Sequence, residues 1–223
     1  MISFEESYFK GHFRKNVGNF QKEDLERLTN WYWGWVRSLN KFVPLLACGK
    51  GKKFLEIGCG IGPVSNILYQ KGYECDASDI SSYSISRAKK LNKNVRFFQQ
   101  DITESCNINS KYDLIIAFEV IEHLKKVNSG IKNMIKMLKE KGILICSTPF
   151  PCKKAYDDPT HINIHDKNYW EKEFKKNGLN LVKSYYTTFL PLLYKLNKNF
   201  SFGIPFKTEW RFINSTTFII GEK

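Results

Sequence analysis

The sequence predicts an α/β fold, a doubly wound and mostly parallel seven-stranded sheet, and three observations predict it. Short apolar runs alternate with stretches of helical period from residue 53 onward. One of those runs, Tyr112–Phe118 (YDLIIAF), is apolar nearly throughout, as a strand covered on both faces must be. A glycine-rich turn, Gly58-Cys59-Gly60-Ile61-Gly62, joins the first strand to the first helix. Alternation of this kind calls for right-handed crossovers with helices on both faces of an open sheet.

The elements follow in order. Lys53–Ile57 (KFLEI) is the first strand, and 61–71 a helix with Val64, Ile67 and Leu68 on one face. Then come a strand at 73–78, a helix at Ser82–Leu91 and a Val- and Phe-rich strand at 94–99. After Tyr112–Phe118, a helix at 130–138 leads to a fifth strand, 142–147 (GILICS). A loop beyond Pro149 precedes a helix at 169–176, and strands at 179–187 and 212–220 complete the sheet. Between them lies an insert, 189–210, whose 189–206 part is built of aromatics, Leu, Pro and Lys. Residues 1–50 read as a helical extension of the 51–223 domain, with Trp31, Tyr32, Trp33 and Trp35 crowded together. That stretch fits a helix packed on the sheet edge or a lid over a substrate pocket.

Composition limits the class. A chain of 223 residues forms one generous domain, and 42% hydrophobic with 26% charged residues is ordinary globular usage. No apolar run is long enough for a transmembrane helix, and the first fifteen residues have no apolar h-region, which argues against a secretory signal. Six cysteines without a C-x-x-C pair fit free thiols in a reducing cytoplasm. The net charge of +13 is concentrated after residue 123, where 18 bases face 8 acids, a balance of 18 − 8 = +10. Only 6 of the 35 bases are Arg, so compositional bias explains the charge better than nucleic-acid readout, and nucleic acid is not the expected partner.

The glycine turn is the first site. Its backbone can approach a ligand closely, beside the unpaired N–H groups of a helix N-terminus. Asp79 closes the second strand 79 − 58 = 21 residues later, where a carboxylate can accept both hydroxyls of a ribose. Pro63 stands where a dinucleotide fingerprint wants glycine or alanine, which counts against a dehydrogenase.

With these residues the chain resembles the class I S-adenosylmethionine-dependent methyltransferases, closely over about 50–150. The resemblance implies a Rossmann-like methyltransferase fold whose glycine turn wraps the methionine moiety. It implies cofactor contacts at Glu56, Gly58, Cys59, Gly60, Gly62, at Asp79 and Ile80 beside the ribose, at Asp101 and Ile102 beside the adenine, and at Phe118 and Glu119.

After the fourth strand comes Glu119-Val120-Ile121-Glu122-His123-Leu124. Offsets of three and four bring Glu122 and His123 to the helical face of Glu119. Two carboxylates and an imidazole can bind Mg²⁺ or Mn²⁺; alternatively, His123 is a general base. The string is similar to the ubiquinone-pathway O-methyltransferases and the small-RNA 3′-end methyltransferases, and the resemblance implies an E-x-x-E-H metal group at Glu119, Glu122 and His123. His161 and His165 both stand where a distal ligand could come, with His165 taken into the metal set and His161 as a second candidate base. The loop holding both histidines reads either as the border of an acceptor site or as a helix start capped by Asp166.

Three functions are consistent with these residues. The first is O-methylation of a small-molecule, lipid-linked or glycan-precursor hydroxyl, with the insert lining an apolar pocket or meeting a membrane surface. The others are an RNA methyltransferase and a cofactor-binding partner protein without chemistry.

Overall fold

A computed structural model describes residues 4, 20–44, 47–104, 110–190, 193–208 and 215–223. Residues 1–3, 5–19 and 45–46 of the N-terminal extension, Cys106, the first residues of the expected last strand and parts of the insert lie outside the described residues. The helices are α1 (Lys22–Leu39), α2 (Pro63–Tyr69), α3 (Ser82–Leu91), α4 (Val127–Met137), α5 (Lys153–Tyr156) and α6 (Lys167–Lys176). The strands are β1 (Lys53–Ile57), β2 (Glu74–Asp79), β3 (Arg96–Gln99), β4 (Tyr112–Phe118), β5 (Leu138–Pro149), β6 (Asn180–Leu190), β7 (Phe202–Ile204) and β8 (Ser215–Glu222).

They form one sheet in the order β3-β2-β1-β4-β5-β8-β6-β7. The first five strands are parallel, and β8 and β6 join antiparallel. The eighth strand is β7, three residues contributed by the insert and paired on β6, which a run without sustained alternation did not signal. The chain reverses direction across the sheet between β1 and β4. In an open α/β sheet, ligands bind in the crevice at the carboxyl ends of the strands flanking such a reversal. The glycine turn follows β1 and the Glu119–Leu124 segment follows β4, so the fold brings the two sequence motifs to one crevice.

Two cores sandwich the sheet. One holds Trp33, Trp35, Val36 and Leu39 of α1 against Val64, Ile67 and Leu68 of α2 and the underside of the strands. The other joins Ile131 and Met134 of α4 to Trp170 and Phe174 of α6. Fully burying each such side chain contributes roughly 1.5–3 kcal/mol. Helix α1 starts in a capping box, in which the Gln21 amide donates to Asp24 at 3.0 Å. Its aromatic face packs into the sheet core, with Trp35 stacked on Phe189 at 4.8 Å and edge-on to Phe218. The packed-helix expectation for Trp33 and Trp35 is what the described residues show.

Candidate active site

The glycine turn is tight where it meets protein and open where it faces outward. Gly58, Gly60 and Gly62 all have positive φ, which glycine adopts without strain. A Cβ on Gly58 would lie 2.3 Å from Val120 Cγ2, whereas one on Gly60 would meet nothing within 4 Å. Gly58 thus lets the β1 and β4 turns touch, and Gly60 forms an uncovered shelf. Asp79 fastens that shelf: its carboxylate accepts from the Gly60 amide at 2.8 Å and the Ser81 amide at 2.9 Å. These bonds fix the orientation of the group beside Gly60. Asp101 is held likewise, with Oδ1 accepting from the amide and hydroxyl of Thr103.

Glu56 lies below the turn. Ser65 donates to its Oε2 from both the amide, at 2.7 Å, and the hydroxyl, at 2.6 Å, tying β1 to the start of α2. Burial pushes its carboxyl up to about 7, against the opposing pull of those two bonds.

The β4 end is arranged differently. Glu119 adopts φ +55°, uncommon for a residue with a side chain. It is fixed by Ser147, whose hydroxyl donates to Glu119 Oε1 at 2.8 Å. A 3₁₀ turn, Ile121–His123, follows. The Glu122 carbonyl accepts from the amides of both Ile162 and Asn163 at 2.9 Å, and the Asn163 side chain donates to the Leu124 carbonyl. These bonds clamp the histidine loop onto the 3₁₀ turn and bring the His161 ring to 4.9 Å from that of His123.

Both imidazoles are held by the same nitrogen. His123 Nδ1 lies 3.0 Å from the Thr160 carbonyl and His161 Nδ1 2.8 Å from the Ala155 carbonyl. A carbonyl can only accept, so each Nδ1 carries a proton, and in the neutral rings Nε2 holds the lone pair, 3.9 Å from Glu122 Oε1 at His123 and 3.7 Å from Asp158 Oδ2 at His161. Ligand atoms of Glu122, His123 and His161 fall within 4.8 Å of one another. Glu122 is fully buried, and among the described residues its carboxylate makes no close hydrogen bond, although Thr148 stands near enough to favour its charge and His123 Nε2 lies 3.9 Å from Oε1. Burial and the charge of Glu119 push its carboxyl well above the usual range, and burial alone pushes Glu119 up to about 7.

The methyltransferase-domain family matches residues 32–184, which is more than half of the chain. The chain belongs to that family, within the class I S-adenosylmethionine-dependent methyltransferases. Ubiquinone biosynthesis O-methyltransferases of Rickettsia bellii and Rickettsia canadensis are 35% and 34% identical over 108 residues, 47% of this chain. The match spans 45% of each of those proteins, less than half their length. Among solved structures, magnesium protoporphyrin IX methyltransferase of Synechocystis, with bound S-adenosylhomocysteine, aligns over 98% of this chain and 97% of its own, at TM-score 0.64 and 18% identity. Phosphoethanolamine N-methyltransferase 2 of Haemonchus contortus aligns over 100% of this chain and 61% of its own, at TM-score 0.65 and 14% identity. At such identities these two share the fold; the different acceptors in their names illustrate that the fold leaves the acceptor open.

Within this methyltransferase fold, several expected residues stand elsewhere than the sequence suggested. The side chains of Cys59, Ile102 and Phe118 are turned into the core, at 2%, 5% and 6% exposure. The Ile102 carbonyl is taken by Asn133, and Phe118 stacks under Tyr32. Ile80, by contrast, is exposed beside Asp79. The expected metal set of Glu119, Glu122, His123 and His165 is not assembled. His165 stacks on Tyr169 at 3.7 Å, at the start of the helix that Asp166 caps, and Glu119 is spent on Ser147. His161 takes the place expected of His165, because the clamp at Glu122 turns the first histidine of the loop inward.

Tyr32 was legible only as one aromatic among four. It stacks parallel on Phe118 at 5.9 Å, and burial followed by the charges of Glu119, Glu56 and Glu122 pushes its phenol up. Helix α1 therefore supplies part of the site's wall as well as core. From the N-terminal side, Phe4 lies edge-on to His123 at 5.4 Å.

Proposed function

We propose that this chain transfers a methyl group from S-adenosylmethionine to a hydroxyl oxygen of a small-molecule or lipid-linked acceptor. The observation that carries the reading is the pair of imidazoles, His123 and His161, each anchored at Nδ1 and each presenting an Nε2 lone pair beside buried Glu122. The relatives named as O-methyltransferases agree with an oxygen acceptor.

The residues fit the cofactor. Gly60 leaves an open shelf, Asp79 stands fixed beside it to receive the ribose, and Ile80 offers an exposed apolar edge. The cofactor, when bound, supplies an electrophilic methyl on a sulfonium. The chain would hold the acceptor hydroxyl near an imidazole, and Nε2 of His123 would take its proton as the hydroxyl oxygen becomes the nucleophile. The backbone carbonyl at Thr160 keeps the ring in the productive tautomer and steadies the imidazolium that forms.

A second reading rests on Glu122. A sealed carboxyl whose charge is opposed by burial and by Glu119 suits a group that gains its charge against a cation. Glu122, His123 and His161 are the residues that would hold one. Two imidazoles and one carboxylate favour Mn²⁺ over Mg²⁺. A divalent ion there would polarise the acceptor oxygen and favour its deprotonation.

Calorimetric titration of S-adenosylhomocysteine into the wild type and Asp79→Ala tests the cofactor site. Binding that the variant loses by about tenfold or more supports it, and no binding by folded wild type would sink the proposal. Methyl transfer to catechol and polyprenyl-phenol acceptors, before and after EDTA, tests the rest. Turnover that survives EDTA keeps the imidazole reading, whereas turnover lost to EDTA and restored by Mn²⁺ selects the cation.

A further inference from the structure

The insert turns its apolar side chains outward. Leu193, Leu196, Phe200, Phe202, Ile204 and Phe206 are 37–74% exposed, nearly half of the large hydrophobic side chains exposed among the described residues. They occupy 14 consecutive residues, so they form one neighbourhood in the chain rather than a scatter.

The segment is also fastened. Arg37 of α1 donates to the carbonyls of Lys198 and Ser201 and to the Asn199 side chain. The Ser201 hydroxyl donates to the Trp31 carbonyl at 2.8 Å and accepts from the Gly34 amide at 3.0 Å. Strand β7 pairs with β6 through Gly203↔Phe189 and its neighbours. The polar atoms of this segment are thus spent on holding it to the domain, while its Leu and Phe side chains are presented to the outside.

Charge narrows the partner. Between Glu173 and Glu209 the chain holds six lysines and no acid. Lys195, Lys198 and Lys207 alternate with the exposed apolar residues. We infer that the 193–207 edge is a docking surface for an anionic lipid bilayer, its Leu and Phe side chains entering the boundary between headgroups and acyl chains while the lysines meet the phosphates. A second copy of this chain fits poorly, since an isologous contact would set an acid-free, lysine-bearing edge against itself. Nucleic acid fits poorly as well, because exposed Leu and Ile side chains offer a phosphate backbone nothing and the insert's bases are all Lys.

Vesicle flotation needs neither cofactor nor acceptor, so its outcome stands apart from the methyl-transfer reading. Wild-type protein should float with vesicles of phosphatidylcholine and phosphatidylglycerol at low salt, and about tenfold less with phosphatidylcholine alone or at high salt. Leu193→Ser/Leu196→Ser, both at exposed positions, should lower partition by about tenfold or more with an unchanged thermal midpoint. Lys195→Glu/Lys207→Glu should do the same on anionic vesicles only, and it remains informative should the first variant fold poorly. Equal flotation of wild type and both variants would overturn the inference. So would a wild type that ignores vesicles, including one that forms a dimer broken by the Leu193→Ser/Leu196→Ser change.

Discussion

Glu56 and Glu122 stand at the carboxyl ends of neighbouring parallel strands, both sealed from solvent and both with raised carboxyl pKa values. Glu56 is answered: Ser65 donates to it twice, and the bonds tie β1 to α2. Glu122 has no bond as close as these among the described residues, with Thr148 and two histidines around it. Buried acids are seldom left without close bonds unless something else uses them. The difference separates the two turns of the crevice: at the β1 turn two close bonds from Ser65 hold the acid, while at the β4 turn none as close is seen among the described residues.

The most severe way to break this comparison is to remove the base. His123→Ala should lower kcat by roughly a hundredfold or more while leaving the affinity for S-adenosylhomocysteine nearly unchanged. A variant that kept its turnover would reduce the β4 cluster to structure. Replacement of each acid by an apolar side chain of similar length then separates the two turns by the size of the loss. Glu56→Met should destabilise by about 2–4 kcal/mol, because it strands a buried amide and hydroxyl of Ser65. Glu122→Met should cost less than Glu56→Met, and at most raise stability by about 1–2 kcal/mol, since it strands no bond as close as those of Ser65 while removing a buried acid. Urea unfolding at fixed pH reads both, and equal losses would erase the distinction.

Much of this contrast was legible before any coordinates. Glycines in a strand–turn–helix setting and an acid at the next strand end located the shelf, because backbone freedom and strand spacing are local properties. The E-x-x-E-H string located the second turn. The sequence did not reveal which histidine joins it: that depends on two main-chain bonds to the Glu122 carbonyl, formed by Ile162 and Asn163 from across the crevice. Hydrogen bonds of that kind carry no residue signature. For the same reason the sequence did not show that the side chains of Cys59, Ile102 and Phe118 pack into the core, since a position in a motif fixes the backbone and leaves the side chain's direction to packing.

Titration sharpens the Glu56 side of the comparison. Its carboxyl rises from an ordinary 4.5 to about 7 on folding, so the folded chain holds that proton more tightly than the unfolded one. Its contribution to stability is therefore complete below about pH 4.5 and is lost as pH rises through 7. Glu56→Gln removes the titration, so the stability difference between wild type and variant should shift against the wild type by on the order of 2–3 kcal/mol between pH 4.5 and 8. A difference that stayed flat over that interval would mean that Ser65 stabilises the carboxylate as much as burial opposes it.

The smallest effect belongs to the wall that α1 places over both turns. Tyr32 contributes through a ring stacked on Phe118 and through a phenol set among three carboxylates. Phenylalanine keeps the ring and its stacking, so Tyr32→Phe isolates the hydroxyl. If α1 serves the crevice mainly by excluding water, the variant should bind S-adenosylhomocysteine within about threefold of wild type and change stability by less than about 1 kcal/mol. A loss beyond about thirtyfold, roughly 2 kcal/mol, would instead make the phenol a direct ligand contact. Helix α1 would then count with the β4 turn, as a surface that serves the ligand, and no longer with the closely bonded architecture around Glu56.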